Sequence, residues 1–218
     1  MKKFLAILFI TAISYAFVFF KIKDTGKPWQ GKIQQLPGRL QCEFYDEGGE
    51  GIAYHDTDST NNGSGKLNPA NGTFLNEFRM KEGVDISYTK TGNIDNNPFN
   101  KTPRDMNKFY VGWTQPGEWI NYTVKVIKNG TYPIGVLYTS NGNGSISIDV
   151  DGKDATGPMP IISTHDDRDT VQWRQWHHWN ASDIGSISLK KGIHVIRLHI
   201  VSNGNMNLDY LDFGKAVK

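Results

Sequence analysis

Residues 171–179 read VQWRQWHHW, three tryptophans at intervals of three with an arginine and two histidines among them. So much indole surface either fills a core or lies open as a stacking platform, and the backbone decides which. In a helix, positions 173, 176 and 179 share a face; in an extended strand Trp173 and Trp179 point one way and Trp176 the other. Extended geometry is expected here. It sends one of Trp173 and Trp176 into a cleft and the other into the core, and carries Trp179 roughly 20 Å further along the chain. His177 and His178 could suggest zinc. Neighbours on a strand point apart, however, and no cysteine or third histidine has suitable spacing, so both are expected to be exposed. Cys42 is the only cysteine and cannot form an internal disulfide.

The elements that would hold these side chains are strands. The 218 residues carry 24 basic and 22 acidic side chains, a net charge of +2 that leaves no electrostatic footprint for nucleic acid. With 38% hydrophobic residues, 12% aromatics and 23 glycines, the composition suits short strands and polar turns. From residue 117 onwards apolar residues alternate: Ile120, Tyr122, Val124 and Val126, then Tyr132, Ile134, Val136 and Tyr138, then Ile146, Ile148 and Val150, and later Ile196, Leu198 and Ile200. Turn signals such as KNG, SNGNG, DGK and SNGN separate them. An all-β fold follows, an antiparallel sandwich over residues 39–214 with a short tail at 215–218. Residues 46–110, rich in Asn, Gly, Asp, Ser and Thr, are expected to form a long recognition loop.

The apolar run from Phe4 to Phe20 follows a basic start and precedes Lys21 and Lys23. It is longer than a usual signal-peptide core and shorter than a usual membrane span. Residues 1–22 are therefore a signal peptide or a membrane anchor, and both readings export the rest. Residues 23–38, with Pro28 and Pro37, are expected as a polar linker.

Four landmarks recur in order: QCEFYDEGGEGIAYHDTD at 41–58, EGVDI at 82–86, YVGWTQPGEWINY at 110–122 and MNLDYLDF at 206–213. With them the chain from about Leu40 to Phe213 resembles carbohydrate-binding module family 6. The resemblance implies a β-sandwich of jelly-roll type that binds a β-linked polysaccharide, of β-glucan, agar or xylan kind, without altering it. It assigns Trp113 and Trp173 to the two sides of a sugar cleft and Asn207 to hydrogen bonding with hydroxyls. Trp113 stands where a tyrosine is commoner in relatives. The flat face of a β-linked pyranose presents axial C–H bonds, which stack on an aromatic face. Tyr54 and Asp56 in the first loop are further candidates, together with His55 and Asp58.

The resemblance also implies a structural Ca²⁺ held by Gln41, Glu43 and Asp209. Gln41 and Glu43 are two apart on the first strand, Asp209 lies on the last, and oxygen ligands of this kind suit calcium. Two other functions use the same chain. A glycoside hydrolase would need two carboxylates about 5–9.5 Å apart. Glu47, Glu50, Asp56, Asp58, Asp166, Asp167 and Asp169 are available, but they sit in turn-rich segments and are expected to be solvated. An adhesive, protein-binding sandwich would use the aromatics as an interface. The expected state is an exported monomer, secreted, periplasmic or at the cell surface, with a membrane tether through residues 1–22 if those are retained.

Overall fold

The computed structural model describes residues 26–216, so the signal peptide or anchor expected at 1–22 lies outside the described residues. Within them the strands, in chain order, are β1 (Gln34–Leu36), β2 (Gly38–Gln41), β3 (Tyr54–His55), β4 (Ser64–Gly65), β5 (Asn68–Pro69), β6 (Ile86–Tyr88), β7 (Phe109–Val111), β8 (Trp119–Val126), β9 (Gly130–Ser140), β10 (Gly144–Val150), β11 (Lys153–Asp154), β12 (Met159–Ile161), β13 (Asn180–Leu189), β14 (Gly192–Ser202) and β15 (Met206–Phe213). One sheet runs β1-β8-β14-β10-β11, with β3 beside β8 and β12 beside β10; a second runs β13-β9-β15-β7-β6, with β2 beside β15; β4 and β5 pair in a small third sheet. The alternation explains the layering. Ile120, Tyr122, Val124 and Val126 of β8 and Ile196, Leu198 and Ile200 of β14 are buried, as are Tyr132, Ile134, Val136 and Tyr138 of β9, and all join one continuous core.

The polar stretch 26–38 is not a free linker over its described part. β1 pairs in parallel with β8 through Gln34↔Val124 and Leu36↔Val126, and Leu36 is fully buried. Its few apolar residues are spaced by prolines and glycines, which hides a short edge strand from a periodicity reading.

Two irregularities bear on the site. The β15–β9 register shifts between Leu208 and Tyr210, so Asp209 is an extra residue at a β-bulge, and Leu208 and Leu211 both reach the core. Such a bulge re-aims the side chain it carries. The second concerns 171–179, which is not extended: Gln172–His177 form a 3-10 helix. In that geometry side chains three apart eclipse, so Trp173 and Trp176 share a face. The helix ends before Trp179, which turns inward and is fully buried.

Candidate functional site

At one end of the sandwich, loops from both halves of the chain enclose a cleft of about 600 Å³ whose lining includes Trp113, Trp173, Trp176, Tyr110, Lys90 and Asn207, with Leu67, Ile94, His177 and Asn205 at its margins. Trp173 is the most open of the indoles, 54% exposed, with the His177 ring edge-on to it at 5.7 Å. Trp176, which extended geometry would have placed on the opposite side from Trp173, lines the same cleft.

Each wall is held from beneath. Trp113 follows β7 with a positive φ of 48°, a left-handed conformation that a large side chain adopts only when its surroundings enforce it. They do so here. Thr114 Oγ1 accepts from Met206 N at 3.1 Å and donates to Met206 O at 3.2 Å, which fastens the Trp113 loop to the start of β15. Glu118 ties the same loop to the first one, accepting from Gln115 N at 2.7 Å and from Thr57 Oγ1 at 2.7 Å. Gly204 lets the turn between β14 and β15 pass directly under the Thr114 carbonyl, where a side chain would collide.

The opposite wall rests on a buried polar network. Asp169 Oδ1 accepts from Arg174 Nη2 at 2.7 Å and from Val171 N at 3.0 Å, while its Oδ2 accepts from Arg174 Nε at 2.7 Å and lies 2.7 Å from His178 Nε2. The Arg174 guanidinium holds the Asp169 carboxyl well below the usual carboxylate range. His178 is thus fully buried, not exposed as expected, because it caps this network. Below lies Asp95, fully buried, whose Oδ1 accepts from Trp179 Nε1 at 2.8 Å and lies 2.8 Å from His177 Nδ1. Trp179 meets Tyr110 edge-on at 5.4 Å and so supports the cleft floor without reaching it.

Asn207 reaches the cleft with part of its amide already engaged. Nδ2 donates to the Trp176 carbonyl at 2.6 Å, a carbonyl that Thr139 Oγ1 also donates to at 2.6 Å. One Nδ2 proton and Oδ1 are left for other partners. Gly112 makes room for it, since a Cβ there would sit 2.7 Å from Asn207 Oδ1.

The first-loop candidates are elsewhere. Tyr54 is buried against Tyr45 at 5.6 Å, and its hydroxyl accepts from Gly83 N at 2.9 Å. Asp56 is among carboxylates rather than indoles: burial, then the charges of Glu118, Asp85 and Asp58, push it up to about 7. Neither lines the cleft, because β3 pairs with β8 and draws the loop onto the sheet. What the sequence reading missed at the site was Trp176, Tyr110, Lys90 and Ile94. The Trp-x-x-Trp spacing, taken as 3-10 rather than extended, would have found the first.

Gln41, Glu43 and Asp209 do come together, at a second hollow of about 400 Å³ that Arg104, Asp105, Asn107 and Lys108 also line. Gln41 pairs with Tyr210 in the β2–β15 ladder, and Glu43 lies beyond the strand in a 3-10 turn, Cys42–Phe44, not on its face. Glu43 Oε2 is buried without a hydrogen bond, and burial pushes the Glu43 carboxyl up to about 7. An orphaned carboxylate oxygen fits a hard cation. Among the described residues no three His, Cys, Asp or Glu side chains form a metal cage, so two carboxylates, the Gln41 amide and backbone carbonyls would have to serve. The Arg104 guanidinium lies against Asp209, with both side chains nearly fully buried, and competes for that carboxylate.

Comparison with known proteins agrees with this architecture. The model of the family described as carbohydrate binding module (family 6) matches residues 85–215. No curated protein gives a significant match. Among solved structures, a Bacillus subtilis glycoside hydrolase family 43 arabinoxylan arabinofuranohydrolase in complex with cellotetraose is 15% identical, with a TM-score of 0.50 over 84% of this chain and 28% of that one. A β-1,3-glucan-binding family 6 module from Bacillus halodurans is 14% identical, with a TM-score of 0.48 over 84% of this chain and 100% of that one. A Paenibacillus cycloisomaltooligosaccharide glucanotransferase complexed with cycloisomaltoheptaose is 17% identical, with a TM-score of 0.43 over 61% of this chain. This chain spans only 17% of that glucanotransferase. With a match over more than half its length and a two-sheet β-sandwich to go with it, the chain belongs to carbohydrate-binding module family 6.

Proposed function

We propose that this protein is a non-catalytic module that holds a β-linked polysaccharide, of β-glucan, agar or xylan type, by stacking sugar rings on Trp113, Trp173 and Trp176. The observation that carries the reading is the lining of the cleft: three indoles and Asn207 in an open groove with no carboxylate among the described residues that line it. Stacking removes the apolar face of a pyranose from water and sets its C–H bonds against the negative face of the ring. Asn207, with one N–H and its carbonyl oxygen uncommitted, would orient the hydroxyls.

None of the carboxylates named for hydrolysis is among the described residues lining the cleft, and three of them are paired: Asp169 with Arg174 and His178, Asp166 with Arg168, and Glu50 with His55, whose Nδ1 lies 2.6 Å away. A structural Ca²⁺ between Glu43, Asp209 and Gln41 belongs to the same reading. It would bind the end of β2 to the bulge of β15 once Arg104 turns away from Asp209. We also infer export, from the basic and apolar character of residues 1–22.

Affinity electrophoresis through gels containing laminarin, agarose or xylan, with a reducing-sugar assay on the same samples, tests the proposal. Retardation in at least one gel with no new reducing ends is expected. Release of sugar, or free migration in every gel, would overturn it.

A further inference from the structure

Among the described residues lining the cleft, Lys90 is the one lysine or arginine, while His177 lies 2.8 Å from Asp95 Oδ1. Arg174, outside the lining, is held by Asp169. Lys90 has no such partner. Its side chain lies along the cleft, half-buried, and its ammonium has only a long contact to Ser87 Oγ at 3.4 Å and the face of Tyr88, 4.5 Å from the ring centroid. Among the described residues it makes no ion pair with any Asp or Glu within 4.0 Å.

Asp95 is the acid whose charge acts on Lys90, but its oxygens are already in use. Oδ2 accepts from the backbone N of Lys90 itself at 2.7 Å, and Oδ1 serves Trp179 and His177. Burial lowers the Lys90 pKa, and Asp95 only partly restores it. An ammonium taken partly out of water with donors left over is destabilised until an anion supplies what the protein does not.

Resting on the sugar-binding reading above, we propose that Lys90 makes this cleft selective for a glycan with an anionic substituent, a uronic carboxylate or a sulfate ester, on or beside the sugar that stacks on the indoles. A neutral hydroxyl can accept one bond from the ammonium. A charged oxygen adds to that bond the attraction between opposite charges, which is stronger in a partly desolvated site than in water. Among the described residues no acidic side chain lines the same cleft.

The test is calorimetric titration of the wild type, Lys90→Met and Trp173→Ala with three probes: a neutral β-1,3-gluco-oligosaccharide, an oligouronate and a sulfated galacto-oligosaccharide. At least one anionic probe should bind the wild type more tightly than the neutral one does, and its affinity should fall with added salt. Lys90→Met should weaken that probe about tenfold, several times more than it weakens the neutral one. Which acidic probe responds tells the carboxylate from the sulfate ester. Binding of the neutral probe alone, or an equal loss for all probes in Lys90→Met at an unchanged melting temperature, would overturn the Lys90 proposal and leave the sugar cleft standing. If no probe binds the wild type, the Lys90 proposal falls, and the gels above decide the sugar-binding reading separately.

Discussion

At the scale of single residues, the tryptophans divide by what surrounds them rather than by their type. Trp173 is 54% exposed while Trp179, six residues on, is fully buried with its Nε1 on Asp95. Trp173→Ala should therefore abolish retention by polysaccharide and move the melting temperature by less than about 2 °C, since surface substitutions away from buried partners are nearly neutral. Trp179→Ala should do the reverse at first, costing about 3–5 kcal/mol through the cavity it leaves and through Asp95 losing a donor. Denaturant melts of the two variants separate the roles. Equal destabilisation would mean that Trp173 is a core residue. The sequence carried the identity of Trp113, Trp173 and Asn207 as cleft residues only through family resemblance. Parity along a strand could not have assigned Trp176, because the segment is not a strand.

The element that presents Trp173 and Trp176 is a single 3-10 helix, Gln172–His177, too short to be stable on propensity alone. Its stability comes from side chains packed beneath it. Asp169 binds Val171 N and the guanidinium of Arg174, and Gln175 Nε2 donates to the carbonyls of Asp166 at 3.0 Å and Asp169 at 2.9 Å. Asp169→Asn keeps the shape but weakens the charge-assisted bonds to Arg174 and His178, so the indoles should lose their fixed spacing. The expected result is roughly five- to tenfold weaker binding, with Trp173 and Trp176 amide protons exchanging faster. Unchanged exchange and affinity would show that the helix is held by something else. None of this network was legible beforehand: the acids 166, 167 and 169 read as solvated loop charges, which holds for Asp167, 99% exposed, but not for Asp169, because pairing across a fold leaves no periodic mark in the chain.

For the molecule as a whole, the two-sheet sandwich was the most legible feature, because period-2 alternation in β8, β9, β10 and β14 is a direct record of one face being buried. Short edge pieces such as β1 and β3 carry too few residues to show a period. The described chain has no disulfide, Cys42 being free and buried, so anything that ties the two ends of the fold together bears on stability. If Ca²⁺ occupies the hollow of Glu43, Asp209 and Gln41, it stabilises the native state by mass action. Excess chelator should then lower the melting temperature by several degrees, and added Ca²⁺ should restore it. An unchanged melt would leave Arg104, already against Asp209, as the resident cation.

The account depends most on which indoles meet the ligand, and the six tryptophans Trp29, Trp113, Trp119, Trp173, Trp176 and Trp179 offer a direct reading. In a titration of the ¹⁵N-labelled protein with a polysaccharide fragment that it retains, the indole N–H signals of Trp113, Trp173 and Trp176 should shift together along one binding isotherm, while those of Trp29 and Trp119 stay in place. Shifts confined to Trp119 on the sheet, or a bound state that leaves Trp113 and Trp173 untouched, would contradict it.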